Sequence, residues 1–272
     1  MTKRTTSYIL PCCLVLVLLT GWINAGTAAP KPEKGGTHIA YYAYEVMYNP
    51  EYRIPKWVRY TLTAAETDGP YSRSGLNFVP DPSLSLPQAE DSDYRNSGWS
   101  RGHMAPAGDF KWCERAMQES FYFTNCCPQD ISLNNGQWKT LEEKVRGWAK
   151  KFGSVTVVTG PLLMDNAYGT IGRNKVVVPD AFFKAVLAGE QCIAFVMYNK
   201  PRNENLQKCA MSVDRLEELS GIDFFPELKD RVEVQIEAGY NLKYWGLYDG
   251  APTAMRNSIS RDGGLSALRT DA

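Results

Sequence analysis

The sequence predicts a single mixed α+β domain built mainly on an antiparallel sheet, with few helices flanking it. Two patterns carry that expectation. Short runs of apolar, β-branched and aromatic residues recur along the chain, separated by turn residues. Only two stretches have the spacing of an amphipathic helix, and no internal repeat is visible. With 272 residues, 44% of them apolar and 22% charged, the chain is long enough to bury one sizeable core.

Taken in order, Lys3 and Arg4 precede an apolar run from Tyr8 to Thr20, and small residues follow around Ala25 to Ala29. That order reads as a secretory signal over residues 1–29, implying export or a periplasmic location. The run is short for a bilayer span. A folded unit is expected over residues 30–250. It opens on a polar spacer, Pro30 to Gly36, and an aromatic strand-like run from His38 to Tyr48. Asn49-Pro50 marks a turn, and Trp57 to Leu62 reads as the next strand. Residues 66–98 are rich in Gly, Pro, Ser, Asp and Asn, an irregular connection of a length that is often functional.

Further on, Val155–Thr159 and Cys192–Tyr198 have the composition of buried strands. Lys175–Val178 stops at Pro179, and Ala181–Leu187 begins another run. Val213–Leu219 is helical in spacing, with Asp214 and Glu217 at capping-box separation and Gly221 as the stop. Residues 251–272 are small and polar and read as a loose tail.

Charge and cysteines narrow the function classes. Thirty basic residues balance thirty acidic ones. Removing residues 1–29 takes away two cations and no acid, so the overall field does not favour nucleic acid, and any phosphate site must be built locally by a few arginines. Beyond Cys12 and Cys13, five cysteines remain: Cys113, Cys126, Cys127, Cys192 and Cys209. Export would permit disulfides, with Cys192 and Cys209 one candidate pair and at least one thiol left over. There is no C-x-x-C pair and there are only two histidines, so a structural zinc site is not expected.

Three segments carry chemistry: Ser100-Arg-Gly-His103-Met-Ala-Pro106, Phe121-Tyr-Phe-Thr-Asn125-Cys-Cys-Pro128-Gln129, and Leu133-Asn134-Asn-Gly-Gln-Trp138-Lys-Thr-Leu141-Glu142-Glu-Lys-Val145-Arg146. An imidazole such as that of His103 titrates near pH ~6.5 and can take a proton from water at neutral pH. Arg101 offers a permanent planar charge suited to phosphate oxygens. Helical geometry places Trp138, Leu141, Val145 and Trp148 in one apolar stripe, with Glu142 and Arg146 four apart on its flank, positioned to pair. Asn134 stands at the start of that helix, and Asn135-Gly136 is a turn signal.

Together and in order, these segments resemble the DNA/RNA non-specific endonuclease family. Trp57–Tyr60, Thr159–Pro161, Val178–Lys184 and Ser220–Pro226 extend the resemblance over roughly residues 38–245. What it implies is a ββα-metal (His-Me finger) nuclease site, its ββ part formed by the His103 segment and a Phe121–Asn125 strand. Asn134 would be the single direct ligand of Mg²⁺, with Mn²⁺ as a substitute. Waters would fill the remaining positions, as a hard cation prefers, and Glu142 would hold water behind the ion. His103 would be the general base, and Asn125 would orient it or its surroundings. Arg101, Arg146 and Arg73 would act on the phosphoryl group. The implied substrates are DNA and RNA without base specificity, and relatives of this type often form homodimers.

One position departs from the family pattern: Ser100 stands where an Asp usually precedes Arg-Gly-His. A hydroxyl replaces a hydrogen bond but not a charge, so the alternative is a catalytically weakened relative that binds nucleic acid. A third reading makes Cys126 or Cys127 a nucleophile, which would need His103 or His38 as its partner.

Overall fold

The computed structural model describes residues 36–165, 167–201 and 205–248. The segments read above as signal (1–29) and tail (251–272) lie outside them. The main sheet has seven strands, all antiparallel, in the order β1-β2-β3-β6-β9-β10-β11. These are β1 Thr37–Ala40, β2 Glu45–Asn49, β3 Ile54–Thr63, β6 Ser154–Leu162, β9 Ala181–Ala188, β10 Gln191–Tyr198 and β11 Ala210–Met211. A separate two-stranded ribbon pairs β4 Ser100–His103 with β5 Cys126–Gln129. A second small pair joins β7 Thr170–Ile171 to β8 Val176–Val177.

Among the described residues the helices are short, with one exception. They are α1 Asp91–Tyr94, α2 Glu114–Glu119, α3 Ile131–Leu133, α4 Lys139–Phe152, α5 Leu206–Cys209, α6 Val213–Ser220 and α7 Asp230–Glu237. α3 runs into α4 through a wider π-type turn, Asn134–Trp138, bent at Gly136. Such turns let a helix change direction without losing its hydrogen bonding.

Side chains alternate across the central strands, as a pleated sheet requires, and each face of the main sheet carries its own core. One face gathers Val58, Val157, Phe182, Ile193 and Phe195 under α4, which contributes Leu141, Val145 and Trp148. The other gathers Trp57, Val158, Phe183, Ala185, Cys192 and Ala194 under α6 and Phe224-Phe225. The stripe read from the sequence is thus the buried face of α4; Trp148 stacks on Phe195 with ring centres 6.0 Å apart.

Several expectations are corrected. The run from His38 to Tyr48 is not one strand but a hairpin, turned at Tyr41–Tyr44, where the Tyr41 amide donates to the Tyr44 carbonyl. Phe121–Asn125 is not a strand: Phe123–Asn125 forms a 3-10 turn, and pairing with the His103 strand begins at Cys126. β8 covers only Val176–Val177 of the expected run. Ser212, not Asp214, caps α6, its hydroxyl accepting from the Arg215 amide at 3.3 Å, while Gly221 does end the helix with φ 71°. The cysteines at 113, 126, 127, 192 and 209 are all buried and reduced. Cys192 and Cys209 cannot pair because they sit in cores on opposite faces of the sheet.

Candidate active site

The β4–β5 ribbon and the helix from Asn134 meet over the first core, and sequence order explains how. In the ribbon, Gly102 faces Cys127 and His103 faces Cys126. A side chain at 102 would strike Gln129, whose Oε1 and Cβ lie 2.2 and 2.6 Å from where a Cβ would stand. Glycine there lets the two strands close. The chain then enters α3 capped by Asp130, whose carboxylate accepts from the Leu133 amide at 2.9 Å. Asn199 clamps this junction to the end of β10, accepting from the Asp130 amide and donating to the Pro128 and Pro179 carbonyls.

His103 is 7% exposed and packs between Phe78 and Phe121, ring centres 4.5 and 4.9 Å away. Burial, and secondarily the charge of Arg73, push its pKa down to about 3. The imidazole is therefore neutral throughout the physiological range. Its Nε2 is buried and has no hydrogen-bond partner among the described residues. Among the described residues, Asn125 makes no hydrogen bond to the ring. It bonds the backbone that follows, accepting from the Ala105 amide at 2.9 Å and donating to the Ala105 and Ser120 carbonyls.

Arg73, read from the irregular connection, lies over the Phe121 ring at 5.4 Å, and its charge acts on both His103 and Glu142. The expected Glu142–Arg146 pair is replaced. Arg146 donates to Asp109 at 2.7 Å, and Tyr60 donates to the other oxygen of the same carboxylate at 2.8 Å. Asp109 is fully buried, and Arg146 comes from the helix above it, so the shorter route to a desolvated partner wins over the surface i,i+4 geometry. Glu142 is half-buried and held above the usual carboxylate range by burial, countered by Lys184.

Arg101 is engaged at the rim. It pairs with Asp91 of α1 at 2.5 Å and lies over the Tyr94 ring at 5.3 Å. Asp91 thus supplies Arg101 with the negative partner that Ser100 cannot; the Ser100 hydroxyl donates to the Gln129 carbonyl instead. The structure draws His103, Arg73, Glu142 and Arg146 into one electrostatic group, with Asn125 supporting it and Arg101 beside it. Asn134 sits half-buried in the turn between α3 and α4, its side chain free of hydrogen bonds among the described residues.

The donors suit a hard divalent cation. Asn134 offers an uncommitted amide oxygen, Glu142 a carboxylate that a nearby cation would stabilise, and Gln137 an orphaned buried amide oxygen, Oε1. Among the described residues no cage of three or more acidic, His or Cys ligands exists here. The one such cluster, Asp214, Glu217 and Glu237, belongs to α6 and α7.

Sequence reading missed four partners: Asp91, Asp109, Tyr60 and Lys184. Only Lys184 carried a signal, a lone cation at an inward position of an apolar strand. Thiol chemistry finds no support. Burial lifts Cys126 to about 12 and Cys127 well above the ordinary thiol range, and His38 is bonded to Glu45 at 3.1 Å.

The chain is similar to known nucleases. A family model described as DNA/RNA non-specific endonuclease matches residues 25–231. Nuclease EXOG, mitochondrial, of Danio rerio is 39% identical over 217 residues, covering 73% of this chain and 63% of that protein. Endonuclease G, mitochondrial, of Bos taurus is 34% identical, covering 70% and 69%. Nuclease C1 of Cunninghamella echinulata var. echinulata is 33% identical, covering 68% and 81%. A crystal structure of the EndoG/EndoGI complex aligns with TM-score 0.66 and 30% identity, covering 71% of this chain and 86% of that one. The chain spans less than two thirds of the length of the EXOG relatives it matches. The names also overturn the expectation of export: the EXOG and endonuclease G relatives are named mitochondrial proteins, not secreted ones.

Proposed function

Because the chain belongs to the DNA/RNA non-specific endonuclease family, we propose that it is a Mg²⁺-dependent endonuclease that hydrolyses phosphodiester bonds of DNA and RNA without sequence preference. The observation that carries the reading is His103: a buried, neutral imidazole with an unpartnered nitrogen, within the field of Arg73, whose charge also reaches Glu142.

In this reading His103 takes a proton from a water as the water's oxygen bonds to phosphorus. The P–O3′ bond breaks in line, and the leaving oxygen takes a proton from solvent. When bound through Asn134, a divalent cation would neutralise charge on the phosphate and the departing oxygen. Glu142 orients water near it. Arg146, fixed by Asp109, and Arg73 stabilise the extra negative charge on phosphorus, while Arg101 on its Asp91 tether holds the strand. Asn125 keeps the turn after His103 from shifting. None of these groups reads a base edge, which supports activity on both nucleic acids.

The test is digestion of supercoiled plasmid and of structured RNA with Mg²⁺, and again with a chelator. Cutting that stops with the chelator, and that falls by about 10²–10⁴-fold in His103→Ala, is the expected result. Undiminished cutting by that variant overturns the base assignment. Plasmid retarded on a gel yet uncut at every metal concentration would instead favour the weakened, binding-only relative.

A further inference from the structure

A fully buried lysine underlies the site without a role in the chemistry above. Lys184 sits on β9 between Phe182 and Val186, on the sheet face covered by α4, and is 0% exposed. Its ammonium makes no ion pair within contact distance among the described residues. It donates to Thr159 Oγ1 at 3.1 Å and, more weakly, to the Met104 carbonyl at 3.4 Å, and it lies 4.7 Å from the centre of the Trp138 ring. The Thr159 hydroxyl spends its own proton on the Phe183 carbonyl at 2.9 Å, so its lone pairs face the lysine.

Burying an ammonium on a hydroxyl, a carbonyl and an indole face is costly. A methionine would fill the same space without that cost. The compensating field comes from Glu142 and Asp109, opposed by Arg146. Each contact of Lys184 also reaches a different part of the site. Met104 is the neighbour of His103, Trp138 lies between Asn134 and Glu142 on the helical segment, and the ammonium is foremost among the charges that counter the effect of burial on Glu142.

We propose that Lys184 is a positioning residue: it ties the backbone beside His103 to the helix that carries Asn134 and Glu142, and it balances the Glu142 carboxylate. Met104 and Ala105 are then gripped from two sides, by Lys184 on the Met104 carbonyl and by Asn125 on both backbone groups of Ala105. The inference rests on the nuclease reading for its catalytic consequence, but the tether itself is a property of the fold.

Three variants test it in the full-length protein. Lys184→Met removes both tether and charge, Lys184→Gln keeps a donor without the charge, and Lys184→Arg keeps the charge. Lys184→Met should lower kcat by about a hundredfold, the size of effect a small misplacement produces, with little change in KM. Lys184→Arg should recover part of that loss. In a Glu142→Gln background the cost of Lys184→Met should shrink, since the charge it balanced is gone.

A second readout needs no activity. The chain has two histidines, so the imidazole NMR signals of His103 should shift in Lys184→Met and in Lys184→Gln while those of His38, bonded to Glu45, stay fixed. If kcat and the His103 signals are unmoved and only thermal stability drops, Lys184 is a core residue and the proposal is overturned. If Lys184→Met does not fold, Lys184→Gln decides by the same two readouts. If the wild type cuts no nucleic acid but His103 still responds, the tether stands and the nuclease reading fails.

Discussion

At the scale of single residues, environment converts ordinary side chains into working ones. His103 is the clearest case. In the unfolded chain it titrates near ~6.5, whereas burial lowers it to about 3 in the folded one. As pH falls below ~6.5, the unfolded chain binds a proton that the folded chain refuses, so stability is full above that value and drains away toward pH 3. His103→Asn should therefore lose less stability than the wild type between pH 7 and pH 5, as measured by urea midpoints. Asp91 and Arg101 make a second residue-scale point. Their pair is half-exposed, so Asp91→Asn should cost under about 1 kcal/mol of stability. It should nevertheless slow plasmid cutting by about tenfold, because an untethered guanidinium no longer meets the phosphate in one geometry. Unchanged cutting by that variant would show that Arg101 needs no anionic partner.

At the scale of elements, the ribbon and the kinked helix are positioned by a few decisive contacts. Gly102 lets β4 meet β5, Asp130 caps α3, and Asn199 joins both to the main sheet. α6 and α7, on the opposite face, show a different balance. Glu237 is 1% exposed, has an unpartnered Oε1, and is raised to about 8 by burial and by Glu217, Glu233, Asp214 and Asp223. An unfolded glutamate ionises near ~4.3. The stability this group contributes while protonated is thus present below that pH and is lost as pH rises through about 8. Glu237→Gln, which cannot ionise, should melt higher than the wild type at pH 8 and close to it at pH 5. A Tm difference independent of pH would mean that Glu237 is solvated in solution.

At the scale of the whole molecule, a balanced total charge leaves binding to the local distribution of charge. Thirty cations against thirty anions give no broad attractive field, so binding must rest on the local arginines. Each phosphate neutralised by such a group releases counterions, and the logarithm of affinity should fall linearly with the logarithm of salt concentration. Arg73→Ala should make that slope shallower by less than about one unit, the effect of one phosphate contact. A slope unchanged by the substitution would remove Arg73 from the substrate-binding surface. No helix among the described residues is long and apolar enough to cross a membrane.

The sequence by itself determined where the central strands lie, because short, nearly continuous apolar and β-branched runs such as Val155–Thr159 and Cys192–Tyr198 fit strands buried on both faces. It determined the buried stripe of α4, because Trp138, Leu141, Val145 and Trp148 can share a face only on a helix. It also singled out His103, Asn134 and Glu142, through motifs whose order is preserved. What it could not determine were partnerships between residues far apart in the chain. The ion pair Arg146–Asp109, the Asp91 tether on Arg101, the opposite-face burial of Cys192 and Cys209, and the place of Lys184 under the site all depend on which strands become neighbours. Local spacing favoured Glu142 as the partner of Arg146; the tertiary structure chose Asp109, because a fully buried carboxylate has more to gain from a guanidinium than a half-solvated one.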